Sequence, residues 1–281
     1  MTFNFAEIAD EVASSQANAN EAQKGGGEYV PPPEGLARLR FIGYIEVGKH
    51  KKAGPNGEKI EDQVHLIFEL SGKGYEPKEL EDGTKIPYRM TVKLNKSLNE
   101  KANYYKLFKR MNYEQKATSF VQLLGKGFLG NVRHFELPAK PGEEKKVIAN
   151  FRDDQGNLTI RPPRIETMDE ETGELVSKPV PIPPAISDQR CFVWNGKPEW
   201  YDVMWPSTYI ETEEKDGGYQ RKLILSAINF PGSPIEAYLK SKGVDLGIPD
   251  AEDAKAGKGK PAKTSKPQPE SDDDLLNGIV G

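Results

Sequence analysis

The chain has a single cysteine, Cys191, in 281 residues, so no intrachain disulfide framework can be built. Its three histidines, His50, His65 and His134, are scattered and give no zinc-ligand spacing. No run approaches the roughly 18 apolar residues of a membrane span, so no membrane partner is expected. The opening residues, Met1-Thr2-Phe3-Asn4-Phe5, lack the basic stretch of a secretory signal. A reducing cytosol is the expected setting. Nucleotide-loop spacing is also missing: Gly125-Lys126-Gly127 does not fit the glycine, four-residue gap, Gly-Lys-Ser/Thr pattern. There is no nucleophile elbow. Asp169, Glu170 and Glu171 read as a solvated acidic loop, and Asp153 with Asp154 as a turn. The chain is therefore expected to be no enzyme and to carry no cofactor or metal. Glycine and proline, by contrast, are plentiful at 27 and 22 residues, and aperiodic. That excludes a collagen and argues against an all-helical bundle.

Net charge is −4, but the sign changes along the chain. Residues 1–35 carry −5, residues 36–135 carry +8, residues 136–247 carry −5 and residues 248–281 carry −2. A basic block between acidic flanks suits a polyanion site with competing acids on either side. Residues 1–35 read as a flexible acidic leader, with a short helix possible over 4–14 and then Gly25-Gly26-Gly27 and Pro31-Pro32-Pro33.

Strand signals begin near Leu36. Ala37, Leu39, Phe41, Ile45 and Val47 alternate with Arg38, Arg40, Tyr44 and Glu46, around a central Gly43 where a strand can bend. A polar loop is expected over 48–59, turning at Pro55-Asn56-Gly57, followed by strands over 64–70 and 88–94. The period then becomes helical from Leu98 to Met111, with Ser97 as N-cap and Glu100 three residues on, and a second short helix is expected over 114–124. Residues 128–137 and 145–151 read as two more strands pairing across Pro141-Gly142. Three strands, a helical insertion and two strands is the order of an OB-fold. The expected class is mainly β with α insertions: a five-stranded OB-type barrel with a C-terminal extension and disordered termini. The core spans 36–151, with the helical insertion at about 97–124. Residues 152–247 are expected to form an extended arm and an aromatic extension packing on the barrel, with a short helix over 198–213 and a strand or helix over 223–228. Residues 248–281 read as a disordered linker and acidic tail.

Twelve of the 25 aromatic residues fall in the basic block, interleaved with its cations. Single-strand binding needs this pairing, cations for phosphates and flat rings for bases. The expected groove residues are Arg38, Arg40 and Tyr44 on strand one, Lys49, His50, Lys51 and Lys52 in the adjacent loop, and Tyr88, Arg89 and Lys93 on strand three. Tyr104, Lys109 and Arg110 join them from the helical insertion and Arg133 from strand four. Phe41, Phe68 and Phe128 are expected in the core.

The stretch Thr91-Val92-Lys93-Leu94-Asn95-Lys96-Ser97-Leu98-Asn99-Glu100-Lys101-Ala102, with Leu123-Leu124-Gly125-Lys126 and Val132-Arg133-His134, resembles bacteriophage-encoded single-stranded DNA-binding proteins with an OB-fold. Val64–Leu70 fits the same pattern, and Phe192 with Trp194 looks like their C-terminal extension. The resemblance covers roughly 36–137, and more loosely 190–213. It implies a non-enzymatic replication or recombination protein that coats single-stranded DNA in the cytoplasm of an infected bacterial host. It also implies that Asp272, Asp273, Asp274, Leu275 and Leu276 recruit phage or host replication proteins. Two rivals stay open at this point: a phage structural or host-interaction protein using an OB barrel to bind protein, and an RNA-binding OB module.

Overall fold

The computed structural model describes residues 30–54, 57–137, 145–169, 172–209, 218–244 and 246. The leader helix over 4–14, Pro55-Asn56, Pro141-Gly142, Glu170-Glu171 and the tail at 272–276 lie outside them.

The chain opens with a long hairpin, β1 (Gly35–Gly54) and β2 (Gly57–Ser71), paired antiparallel from Arg38↔Ser71 to Gly54↔Gly57. The expected loop over 48–59 is therefore largely strand. Its charges favour this pairing, because Lys51 lies 3.3 Å from Glu58 and Lys52 lies 3.9 Å from Glu61 across the ladder. A two-residue ribbon, β3 (Lys78–Glu79) with β4 (Lys85–Ile86), precedes β5 (Arg89–Asn95), which runs antiparallel to β2.

A helix follows at Asn103–Met111, five residues later than its hydrophobic period begins. Ser97 does not cap it. Its Oγ instead accepts from the Asn99 amide, and Asn99 Oδ1 accepts from the Lys101 amide, so local side-chain turns compete with helix. Of the second expected helix only a 3₁₀ turn forms, Phe120–Leu123, with Ser119 and Gln122 as a capping box. Upstream of it, Asn112 closes the loop by bonding both the carbonyl and the amide of Ala117.

β6 (Gly127–Glu136) pairs with the first half of β1 and with β7 (Val147–Asn150). β8 (Arg164–Met168) and β9 (Leu175–Pro179) form a hairpin within the expected arm. β10 (Arg190–Phe192) runs parallel to β1 at Gly43–Ile45. The main sheet thus has the order β5-β2-β1-β6-β7 with β10 beside β1. The protein is mainly β, with an antiparallel sheet and a few helices. The sheet does not close among the described residues: no ladder joins β5 to β7. The Asn103–Met111 helix packs against β5, and Arg110 donates to the carbonyls of Leu158 and Ile160, so those acceptors are already taken.

β1 is buried on both faces from Phe41 to Gly48. One face carries Ala37, Leu39, Phe41 and Tyr44 into a core with Phe68, Phe120, Phe128 and Phe151. The other face puts Ile42, Ile45, Val47 and Ile67 under Phe192, Trp194, Tyr201, Ile224 and Phe230 of the C-terminal region. That region is built from the turns around Tyr201–Met204, the helix Tyr219–Ser226 and the helix Pro234–Ser241. Gly48, at φ +96°, is needed here: a Cβ would come within 2.5 Å of the Trp194 ring and 2.6 Å of Ala227.

The register explains the two faces. Phe41 pairs with Phe68 and Gly43 with Ile67, so Ile42 is an extra residue in a β-bulge. A one-residue bulge exchanges the faces of everything beyond it. Arg38 and Arg40 remain on the outer face. Tyr44 and Glu46, expected beside them, are turned into the core.

Candidate nucleic-acid interface

The outer face of the sheet is a set of cross-strand rows: Arg40, Glu69 and Arg89; then Gly43, Ile67 and Thr91; then Ile45, His65 and Lys93. Over the first row runs the strap Ile182–Ser187. Arg40 donates to the carbonyls of Gly125 (2.8 Å), Ile182 and Pro183 (2.9 Å), while the two oxygens of Glu69 accept from the amides of Ile186 (2.7 Å) and Ser187 (2.8 Å). One cross-strand pair of opposite charges thus holds both the carbonyls and the amides of a proline-rich segment that cannot pair as a strand. Arg40, expected to line the groove, is a fastener for this strap.

Tyr44 is 2 % exposed. Its hydroxyl donates to Glu46 at 2.9 Å and lies 3.1 Å from the hydroxyl of Tyr104, which is buried too. Glu46 also accepts from Lys96 (2.7 Å) and from the Trp194 amide (3.1 Å). Burial pushes the Tyr44 phenol well above its usual pKa, and the Glu46 charge adds to the effect. Tyr44 and Tyr104 therefore sit in a polar knot under the helix and present no ring to a ligand, contrary to their expected role.

The remaining expected residues divide by place. Arg38 is exposed on the outer face beside Ser71. Lys49, His50, Lys51 and Lys52 lie along the strand extension rather than in a loop. The His50 ring bonds the Val47 carbonyl at 3.1 Å. Lys109 is exposed, its amine 5.8 Å from the Tyr105 ring centroid, and Arg110 is spent on backbone carbonyls. Arg133 pairs with Asp154 at 2.8 Å, with β7 beside it. Tyr88 is exposed next to β5. The expected core rings Phe41, Phe68 and Phe128 are buried.

Of the expected cations, Lys93 on β5 also meets an aromatic ring. Lys93 Nζ sits 5.1 Å from the Tyr219 ring centroid and donates to the Tyr219 hydroxyl at 3.2 Å. Tyr219 is 46 % exposed and stacks at 6.1 Å on His65. His65 is fully buried, and burial together with the Lys93 and His50 charges lowers its pKa to about 3. His65, Tyr219 and Lys93 thus form one stack at β5, with the Tyr219 ring reaching the surface. Arg221 makes a separate group, stacked on Tyr209 at 4.9 Å and on Trp205 at 5.1 Å.

Arg190, Arg221 and Tyr219 carry no signal in the sequence, because they reach β5 only through the fold of the C-terminal region. The one available clue is that Arg190 shares the period-two phase of Phe192 and Trp194. The helix Pro234–Ser241 is likewise unforeseen, although Ser233-Pro234-Ile235-Glu236 is a capping signature: Ser233 accepts from the Glu236 amide at 3.3 Å.

Among the described residues, no group of three His, Cys, Asp or Glu side chains is placed to hold a metal, and no helix is long and apolar enough to cross a membrane. Comparison of the chain with protein-family models, curated proteins and solved structures gave no match.

Proposed function

We infer that the chain binds single-stranded DNA along the outer face of β5, with little preference for sequence. The observation that carries this reading is the Lys93–Tyr219 pair, an exposed ring with a cation over it, on the β5 strand that also carries Arg89. A base stacks on such a ring, and the neighbouring cations neutralise its phosphates. The +8 block in residues 36–135 and the resemblance to phage single-strand binders support the same reading. The strand order β5-β2-β1-β6-β7 supports an OB-type reading of the fold, with the third and fifth strands left unpaired with each other among the described residues. The expected biological setting is replication or recombination in a phage-infected bacterium, with the acidic-leucine tail as a recruiting segment.

Fluorescence titration with oligo-dT, duplex DNA and oligo-rU over a range of salt tests the reading. Log affinity for oligo-dT falls linearly with log salt. Tyr219→Ala loses about 1–3 kcal/mol of binding with the fold intact. Absence of oligo-dT binding at low salt ends the proposal, and a clear preference for oligo-rU moves it to RNA.

A further inference from the structure

Arg190, on β10 beside Gly43 of β1, is near enough to Arg89 of β5 and to Arg221 for their charges to act on it. Arg190 is 6 % exposed. Its Nε donates to the Ser207 carbonyl at 2.6 Å and its Nη2 to Gln220 Oε1 at 2.8 Å, but its buried Nη1 has no partner. Arg221 donates to Thr208 Oγ1 at 3.1 Å and to the carbonyls of Trp205 and Pro206 at 3.3 and 3.4 Å. Every acceptor found by Arg190 and Arg221 is uncharged, and among the described residues neither forms an ion pair. Arg89 stands on β5, opposite Glu69, whose two oxygens are committed to the strap amides. Burial, together with the charges of Arg89 and Arg221, lowers the Arg190 pKa to about 10.

Burying a guanidinium among like charges, with one donor unsatisfied, is costly unless an anion completes the site. The unpartnered Nη1 can give a phosphate oxygen a charge-assisted hydrogen bond. Arg89 and Arg221 are each half-buried, and Tyr219 is next in sequence to Gln220, the partner of Arg190 Nη2. We propose that Arg89, Arg190 and Arg221 form an oxyanion site that takes a backbone phosphate of the bound strand. This rests on the single-strand reading above and adds a fixed anchor to it: the site sets where the backbone runs relative to the Tyr219 ring.

The test uses the full chain, with inorganic phosphate as the first probe. Thermal unfolding is compared in phosphate and in chloride at matched ionic strength. Phosphate stabilises proteins generally by exclusion from their surface, so the reading is the difference between the parent and Arg221→Gln, with Arg89→Gln as a second variant should the first fold poorly. The site predicts a phosphate-specific rise in Tm in the parent that both variants lose. It also predicts that each variant weakens oligo-dT binding and lowers the slope of log affinity against log salt by about 1. Equal phosphate responses in parent and variants overturn the site, as does an unchanged salt slope. If oligo-dT binds the parent and the variants alike, the site fails while the single-strand reading stands. A phosphate-specific rise lost in the variants, in a chain that does not bind oligo-dT, upholds an oxyanion site for free phosphate and rejects the strand.

Discussion

Tyr44 shows how one residue of register changes a side chain's task. It lies three residues after Phe41, yet the bulge at Ile42 turns both rings into the same core. Tyr44→Ala is expected to cost about 3–5 kcal/mol as a large buried ring is lost. Tyr44→Phe removes only the hydroxyl bonds to Glu46 and Tyr104 and costs about 1–2 kcal/mol. Oligo-dT affinity of Tyr44→Phe equals that of the parent; a drop in affinity at unchanged stability would return Tyr44 to the binding surface. His65 gives a pH test. The native state keeps it neutral down to about pH 3, while in the unfolded chain it takes a proton near 6.5. Between those values the unfolded state binds more protons, so stability falls as pH falls, by up to about 1.4 kcal/mol per unit. His65→Gln flattens this slope in urea unfolding measured at pH 7 and pH 5. Identical slopes for parent and variant would show that His65 is not held neutral.

At the scale of elements, the strap is the informative case. Its prolines remove amide donors and keep it out of the sheet, so the Arg40–Glu69 pair holds it by its backbone groups. Charged hydrogen bonds of this kind contribute about 1.5–3 kcal/mol each. Glu69→Ala frees the amides of Ile186 and Ser187, and the expected result is faster proteolytic cleavage within 180–189. An unchanged cleavage pattern would mean that other contacts hold the strap. The strands were legible from their alternation because each has an apolar face against a core. The helical insertion was legible in kind but not in extent: local bonds of Asn99 delayed the start of the first helix, and those of Asn112 closed a loop where a second was expected.

Across the whole molecule, the C-terminal region behaves as the second half of the core. Truncation before Ile182 uncovers Ile42, Ile45, Val47 and Ile67 together, and such a chain is expected to aggregate or to unfold on gel filtration and circular dichroism. Truncation after Lys266 removes the acids of the tail and leaves the two core clusters untouched. That chain keeps its Tm and binds oligo-dT more tightly at low salt, where competition by a tethered acidic tip is least screened. Equal affinity of the two chains at low salt would reduce the tail to a bystander in binding.

Alternation and charge in the sequence by themselves determined the five core strands, their apolar identities and the basic character of residues 36–135. Each depends on neighbours one to four residues apart. The tertiary structure alone decided which cations stay open to solvent and which are tied to other groups of the chain. Arg40 and Arg110 were drawn to backbone carbonyls far along the chain, Tyr44 was inverted by a bulge, and Arg190, Arg221 and Tyr219 were carried to β5 by a region that the sequence marks only as aromatic. The physical reason is that a charged or aromatic side chain takes its role from its partners, and those partners are brought in by the fold from far along the chain, as Pro183 is to Arg40 across 143 residues.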